Sequence, residues 1–175
     1  MSKTTIPAGG LATDSVTTAK IVDDAVTAAK AAFSAGKIAQ VVQTIKTPVA
    51  NSTSGSSFVT PSGASVDITP SATSSKVLVT VQGGGTRCPD DGLGYFTIYR
   101  DSTNLGDSTK GFQKQYNDER TDQPLSMQYL DSPSSTSAIT YAVYYKASAG
   151  TIYMQDTDSG NLIITAMEVL AWVIE

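Results

Sequence analysis

Near the N-terminus an apolar side chain recurs at every fifth position: Ile6, Leu11, Val16, Ile21 and Val26, with Thr, Ala, Asp and Lys between them. One unit repeats almost verbatim, Asp14-Ser15-Val16-Thr17-Thr18-Ala19-Lys20 returning as Asp24-Ala25-Val26-Thr27-Ala28-Ala29-Lys30. A step of five suits neither regular element. On an α-helix it turns each apolar residue by roughly 140°, so no stripe forms. On a strand, odd steps send successive residues to opposite faces. Each unit is expected to make an extended piece and a tight bend, with Asp14 or Asp24 capping a single helical turn. Such a thin segment cannot shelter its own apolar groups and needs copies of itself or a partner surface. Residues 28–40 carry Ala, Lys and Phe33 at helix-compatible density and predict a short helix, weakened by Gly36 inside it.

From about Val41 the period changes to two. Val77, Val79 and Val81 alternate with other residues over positions 76–81, and Phe96 and Ile98 oppose Tyr95 and Tyr99. Ile139, Tyr141, Val143 and Tyr145 alternate in the same way. Further strands are predicted over residues 41–46, 57–60, 65–69, 125–130 and 151–155, with turns over 51–56, 83–85, 89–92, 131–137 and 156–160. Many short strands punctuated by turns predict a mostly β chain: a jelly-roll-like antiparallel β-sandwich over residues 41–175, preceded by an extended stem over 1–40. The last stretch, from Leu162, is apolar on both faces. Leu162, Ile164, Ala166, Leu170, Trp172 and Ile174 lie on one, and Ile163, Met167, Val169, Ala171 and Val173 on the other. Two-sided apolarity predicts burial on both sides, so a neighbouring subunit is expected to cover the second, with Trp172, Ile174 and Met167 packing in the core or the subunit contact. Glu168 then falls on a buried face and requires partners or an edge position.

Composition narrows the function. Charged residues make up 16% of the chain, against roughly 25% in an average soluble protein. With 12 basic and 16 acidic residues and a net charge of −4, there is no basic footprint for nucleic acid. Cys88 is the single cysteine, so no intrachain disulfide forms, and a buried free thiol is expected. The chain has no histidine, which removes Ser-His-Asp and Cys-His catalysis and the commonest ligand of catalytic zinc. No cofactor and no metal are expected. Residues 1–10 lack the basic start and apolar core of a signal peptide, and the apolar stretch at the C-terminus is interrupted by Glu168 and too short to span a bilayer.

Few local patterns carry chemistry. Residues 156–161, Asp-Thr-Asp-Ser-Gly-Asn, have the look of a calcium loop but lack its terminal bidentate Glu, and a hairpin turn accounts for them better. Asp90-Asp91-Gly92 reads as a turn as well. The densest charge cluster, Asp118-Glu119-Arg120-Thr121-Asp122, stands beside Tyr116 and Asn117. It reads as a solvated loop. As a receptor contact, Tyr116, Asn117, Asp118, Glu119 and Asp122 would suit sugars, the ring stacking on a sugar face and the polar groups bonding hydroxyls. As an enzyme, Asp118 and Glu119 would supply the carboxylate pair of a glycan hydrolase. Gly83-Gly84-Gly85 follows a strand but precedes neither Lys-Ser/Thr nor a helical pattern, so a flexible loop accounts for it better than a phosphate loop.

The Asp-x-Val-Thr-x-Ala-Lys units resemble the N-terminal anchor of tailed-bacteriophage fibre and collar proteins. The strands Ser75-Lys76-Val77-Leu78-Val79-Thr80-Val81 and Phe96-Thr97-Ile98-Tyr99-Arg100-Asp101 are similar to those of small C-terminal domains in that class. Leu130-Asp131-Ser132-Pro133 and Ile164-Thr165-Ala166-Met167-Glu168-Val169 complete the resemblance, which covers most of the chain. It implies a homotrimeric virion protein assembled in the host cytoplasm. Ile6, Leu11, Val16, Ile21 and Val26 would form the trimer rungs and the anchor to another virion protein in the tail, neck or capsid. The β domain would project outward to attach to a host-surface glycan or protein. The alternative within structural proteins is a head or neck decoration that stabilises the shell.

Overall fold

The computed structural model describes residues 38–88, 92–117, 122–155 and 158–170. The rungs Ile6, Leu11, Val16, Ile21 and Val26 lie outside the described residues, as do Asp118, Glu119, Trp172 and Ile174. Eleven strands are described: β1 (Ile38–Lys46), β2 (Asn51–Thr53), β3 (Ser65–Ile68), β4 (Lys76–Arg87), β5 (Gly92–Arg100), β6 (Thr103–Asn104), β7 (Gln113–Asn117), β8 (Asp122–Asp131), β9 (Ile139–Ala149), β10 (Ile152–Met154) and β11 (Leu162–Val169).

All pairings between these strands are antiparallel. In the first sheet β4 is the spine. It pairs with β8 along one side, and with β11 and then β10 along the other. Beyond these lie β1, paired with β11, and β2, paired with β10. The second sheet runs β3, β9, β5, with β6 and β7 both on the far side of β5. The principal orders β1-β11-β4-β8 and β3-β9-β5-β7 send the chain repeatedly from one sheet to the other, a jelly-roll-like connectivity.

Alternation puts one side of each strand inside. Val77, Val79 and Val81 of β4, Leu125 and Met127 of β8, and Leu162, Ile164 and Ala166 of β11 meet Val66 and Ile68 of β3, Phe96 and Ile98 of β5, and Ile139, Tyr141, Val143 and Tyr145 of β9 in one core. Each such side chain removed from water contributes about 1.5–3 kcal/mol before the cost of ordering. Cys88 is a buried free thiol, as expected, its pKa raised by burial.

Two carboxylates are built into this interior. Asp131, at the end of β8, accepts two bonds from Arg100 Nη1 (3.0 and 2.9 Å) and one from the Tyr141 hydroxyl (2.7 Å), tying the first sheet to β5 and β9 of the second. Burial and the bond to Asp131 push the Tyr141 pKa far up, so the phenol stays a donor. Glu168 lies on the inner face of β11, fully buried. Its Oε1 accepts from the Ser71 amide (2.7 Å), the Ser71 hydroxyl (2.6 Å) and the Ser75 hydroxyl (2.7 Å), and its Oε2 from Gln40 Nε2 (2.7 Å). These four bonds supply the partners that its burial requires, and they pin the β3–β4 connection to β11.

Several local expectations are corrected. Ile38 to Gln40 belong to strand rather than helix, because Ile38 and Gln40 pair with Val169 and Glu168 of β11. Asn51–Thr53 form β2 instead of a turn, because β10 offers an edge with which they pair. Residues 57–60 make no strand, only a bridge from Val59 to Tyr145, and Pro61 then ends the run without an amide donor. Gly83, Gly84 and Gly85 stay within β4. The edge strand β7 had no apolar alternation to reveal it, since Gln-Lys-Gln-Tyr-Asn is polar throughout.

Glu168 gives this fold an acid-sensitive joint. Burial alone raises its pKa, but the bonds from Ser71, Ser75 and Gln40 outweigh that and hold it at about 2, below the ordinary 4.5. A depressed folded-state pKa stabilises the fold fully above the ordinary value, and the contribution fades as pH falls from about 4.5 toward about 2. Urea unfolding should show Glu168→Gln less stable by about 2 kcal/mol at about pH 7, with most of that difference gone by about pH 3.

Candidate functional site

The glycine run in β4 bends the strand and shapes a polar cleft beside it. Gly83 and Gly84 have φ of 80° and 61°, a left-handed region that side chains with a Cβ avoid. Gly83 pairs with Leu125 and Gly85 with Pro124, so Gly84 is the extra residue of a β-bulge. On the other side of β4, β10 and β11 are collinear pieces of one edge, interrupted opposite the bulge. The chain leaves the sheet at Gln155, whose amide donates to the Gly85 carbonyl (2.7 Å), and returns at Asn161, whose carbonyl accepts from the Gly84 amide (2.9 Å). Gln155 Nε2 also donates to the Lys46 carbonyl (3.0 Å), holding this exit to the end of β1. A Cβ on Gly83 would come within 2.4 Å of the Asn161 carbonyl oxygen.

The cleft is open, with a volume of about 320 Å³, and is bounded by Gly83, Gly84 and Gly85, by Asp122, Gln123 and Pro124 at the start of β8, and by residues 158–161. Asp122, Asp158 and Asn161 are exposed. Ser159 Oγ is buried without a hydrogen-bond partner among the described residues. Carboxylates and carboxamides beside exposed backbone form a surface of acceptors and donors suited to hydroxyl-rich ligands. Among the described residues, no group of three His, Cys, Asp or Glu is placed to hold a metal ion.

Of the residues proposed for receptor contact, Asp122 lines the cleft. Tyr116 is 54% exposed and stands on β7 opposite Leu93, in the other sheet. Asn117 ends β7 opposite Gly92. The described part of the cluster is therefore divided between two sheets. The cleft instead draws on two segments whose turn chemistry was legible and whose meeting was not. Three glycines after the alternating Val77, Val79 and Val81 were the available signal, since glycine inside a strand pattern marks a bulge or a close backbone approach.

A second surface is the outer face of the first sheet. Cross-strand register aligns Val41, Met167, Leu78 and Leu130 in one row. Gln43, Thr165, Thr80 and Gln128 form the next, and Ile45, Ile163, Gln82 and Ser126 the one after. Ile38, Val41, Ile45 and Leu130 are exposed at 59, 55, 55 and 47%. Met167, expected in a core or subunit contact, is half-buried in the middle of the first row.

The outer face of the second sheet is aromatic. Tyr99 stacks on Tyr144 at 3.9 Å, Phe58 meets Tyr99 edge-on, and Lys146 Nζ stands over the Phe58 and Tyr95 rings at 4.6 and 5.8 Å. Tyr129, on the inward side of β8 in the first sheet, packs against Phe112 at 5.4 Å. These rings, chemically fit for sugar stacking, contact one another and Lys146 in this way.

Compared with known proteins, the chain matches no family model and no curated protein. Among solved structures it is similar to a VP2 protein of infectious bursal disease virus in derived T=1 particles, at 13% identity and a TM-score of 0.39, over 76% of this chain and 36% of that one. The Gt strain of the same virus gives 14% and 0.38 over 76% and 38%. Its T13 particle gives 15% and 0.34 over 76% and 36%. The chain thus spans little more than a third of the length of these proteins.

The bulge geometry is testable in isolation. Gly83→Ala combines a left-handed backbone with a clash against the Asn161 carbonyl, and chemical denaturation should show a loss of about 2–4 kcal/mol. Gly160→Ala, whose Cβ would meet nothing within 4 Å, should cost less than about 1 kcal/mol.

Proposed function

We propose that the chain is a structural protein of a tailed-phage particle, a homotrimeric fibre. Its repeat-bearing N-terminal residues dock on another virion protein, and its β-sandwich meets the host surface. The observation that carries the reading is the polarity of the first sheet. The repeat-bearing residues lead into β1 at Ile38, which pairs with Val169 at the end of β11, beside Lys76 at the start of β4. The cleft of Gly83, Asp122 and Asn161 lies seven residues further along β4, about 23 Å away at the rise of a strand. Chain entry and the polar cleft therefore occupy different ends of one rigid sheet, as an anchored adhesin requires.

The repeat supports the same reading. Ile6, Leu11, Val16, Ile21 and Val26 are spaced for rungs to which several chains contribute, and the chain's low charge suits tight lateral assembly. Three copies of a weak polar cleft adhere far better than one, by factors of about 10²–10⁴. On this reading the protein performs no catalysis and needs no cofactor. Its work is mechanical and adhesive.

Purified full-length protein should compete with intact particles for host cells, and the Asp122→Ala, Asn161→Ala double variant should compete at least about 10-fold less well. Particles lacking the protein should keep their heat stability and lose adsorption. The opposite result, fragile particles that still adsorb, would make it a shell decoration, and turnover of purified surface polysaccharide would make it an enzyme.

A further inference from the structure

We infer that copies of this chain meet through the outer face of the first sheet, three around an axis running along its strands. The inference rests on the homotrimeric reading above and adds to it the surface and the register.

The rows supply the argument. Val41, Met167, Leu78 and Leu130 form an apolar band across four strands, and Ile45 and Ile163 begin another two residues beyond the polar row. Between them runs a band of Gln43, Thr165, Thr80 and Gln128, in which Gln43 Nε2 already donates to Thr165 Oγ1 at 3.0 Å. None of these twelve residues is charged, in a chain with 12 basic and 16 acidic residues. These rows offer nothing to an oppositely charged partner and set no like charges against each other when copies of a chain of net charge −4 approach; exposed Lys76 stands outside them, beside Val169 at the end of the face.

An axis parallel to the strands brings each row to the same height as the identical rows of its neighbours. Apolar bands then meet apolar bands, and Gln and Thr, each both donor and acceptor, meet side chains that can satisfy them. Any other height would set the polar band against Met167 and Leu78 and leave its amides unbonded, which fixes the register. Four eight-residue strands cover about 26 by 19 Å, so a threefold arrangement turns about 1,500 Å² inward, summed over its three faces.

Sedimentation equilibrium of the full-length chain tests this with Val41→Lys, Leu130→Lys as the double variant and Val59→Lys, on the other sheet, as control. Both replaced side chains are exposed in the single subunit, so near-UV circular dichroism should be unchanged. The wild type and the control should be trimers, and the double variant should associate at least about 100-fold more weakly, since it buries unpaired ammonium groups. A double variant that remains trimeric overturns the inference while leaving the homotrimer in place. A wild type that sediments as a single subunit overturns the homotrimer and this inference together. Should the double variant fail to fold, peroxide oxidation of Met167 in the wild type decides. Slower oxidation in the trimer than after dilution to single subunits supports the contact, and equal rates overturn it.

Discussion

Strand β4 bonds β8 along one side and β11 and β10 in succession along the other, so every strand of the first sheet reaches it directly or through one neighbour. A strand in that position must be apolar inward, tolerable outward and able to bend where its partners change. Val77, Val79 and Val81 meet the first demand, and Leu78, Thr80 and Gln82 the second. Gly83 and Gly84 meet the third, with backbone angles that residues bearing a Cβ reach only under strain. The cleft and the interruption between β10 and β11 both follow from that bend. The rows on the outer face follow from the unbroken register below it.

The two interior carboxylates show how a protein of low charge content closes its sandwich. Asp131 is shared by a guanidinium and a phenol from the opposite sheet. Among the described residues no cation pairs with Glu168, which is held by hydroxyls, one backbone amide and one carboxamide. Hydrogen bonds to the ionised form are worth more in a dry interior than in water, which lets neutral donors do the task of a counter-ion. Both acids stand where segments must be fixed to one another, Asp131 between sheets and Glu168 between β11 and the β3–β4 connection.

The sandwich keeps chemically different surfaces apart. Its second sheet turns outward a set of aromatic rings already in contact with one another, whereas its first turns outward aliphatic side chains with no described cover. At the end of the first sheet where β1 begins stand Ile38, Val169 and Lys76, and further along its strands the polar cleft opens. The proposed fibre would need surfaces for adhesion, anchoring and association kept separate, and a rigid sheet can do so by its length and its two faces.

Much of this was legible from period alone. Alternation in β4, β5 and β9 determined which side chains share a face, and the two-sided apolarity of Leu162, Ile163, Ile164, Ala166 and Met167 marked a strand with a second face to cover. The step of five near the N-terminus, the absent histidine and the low charge narrowed the class of chemistry to be expected. Neighbours were not legible. A period of two is the same for every strand, so it cannot say that Val41 stands beside Met167 or that Asn161 returns to Gly84. Polar edge strands such as β7 carry no alternation at all. The partners of Glu168, the meeting of Gly83 with residues 158–161 and the alignment of the outer rows were decided only by long-range register, because hydrogen bonds between distant segments, and not local preference, set which residues stand side by side.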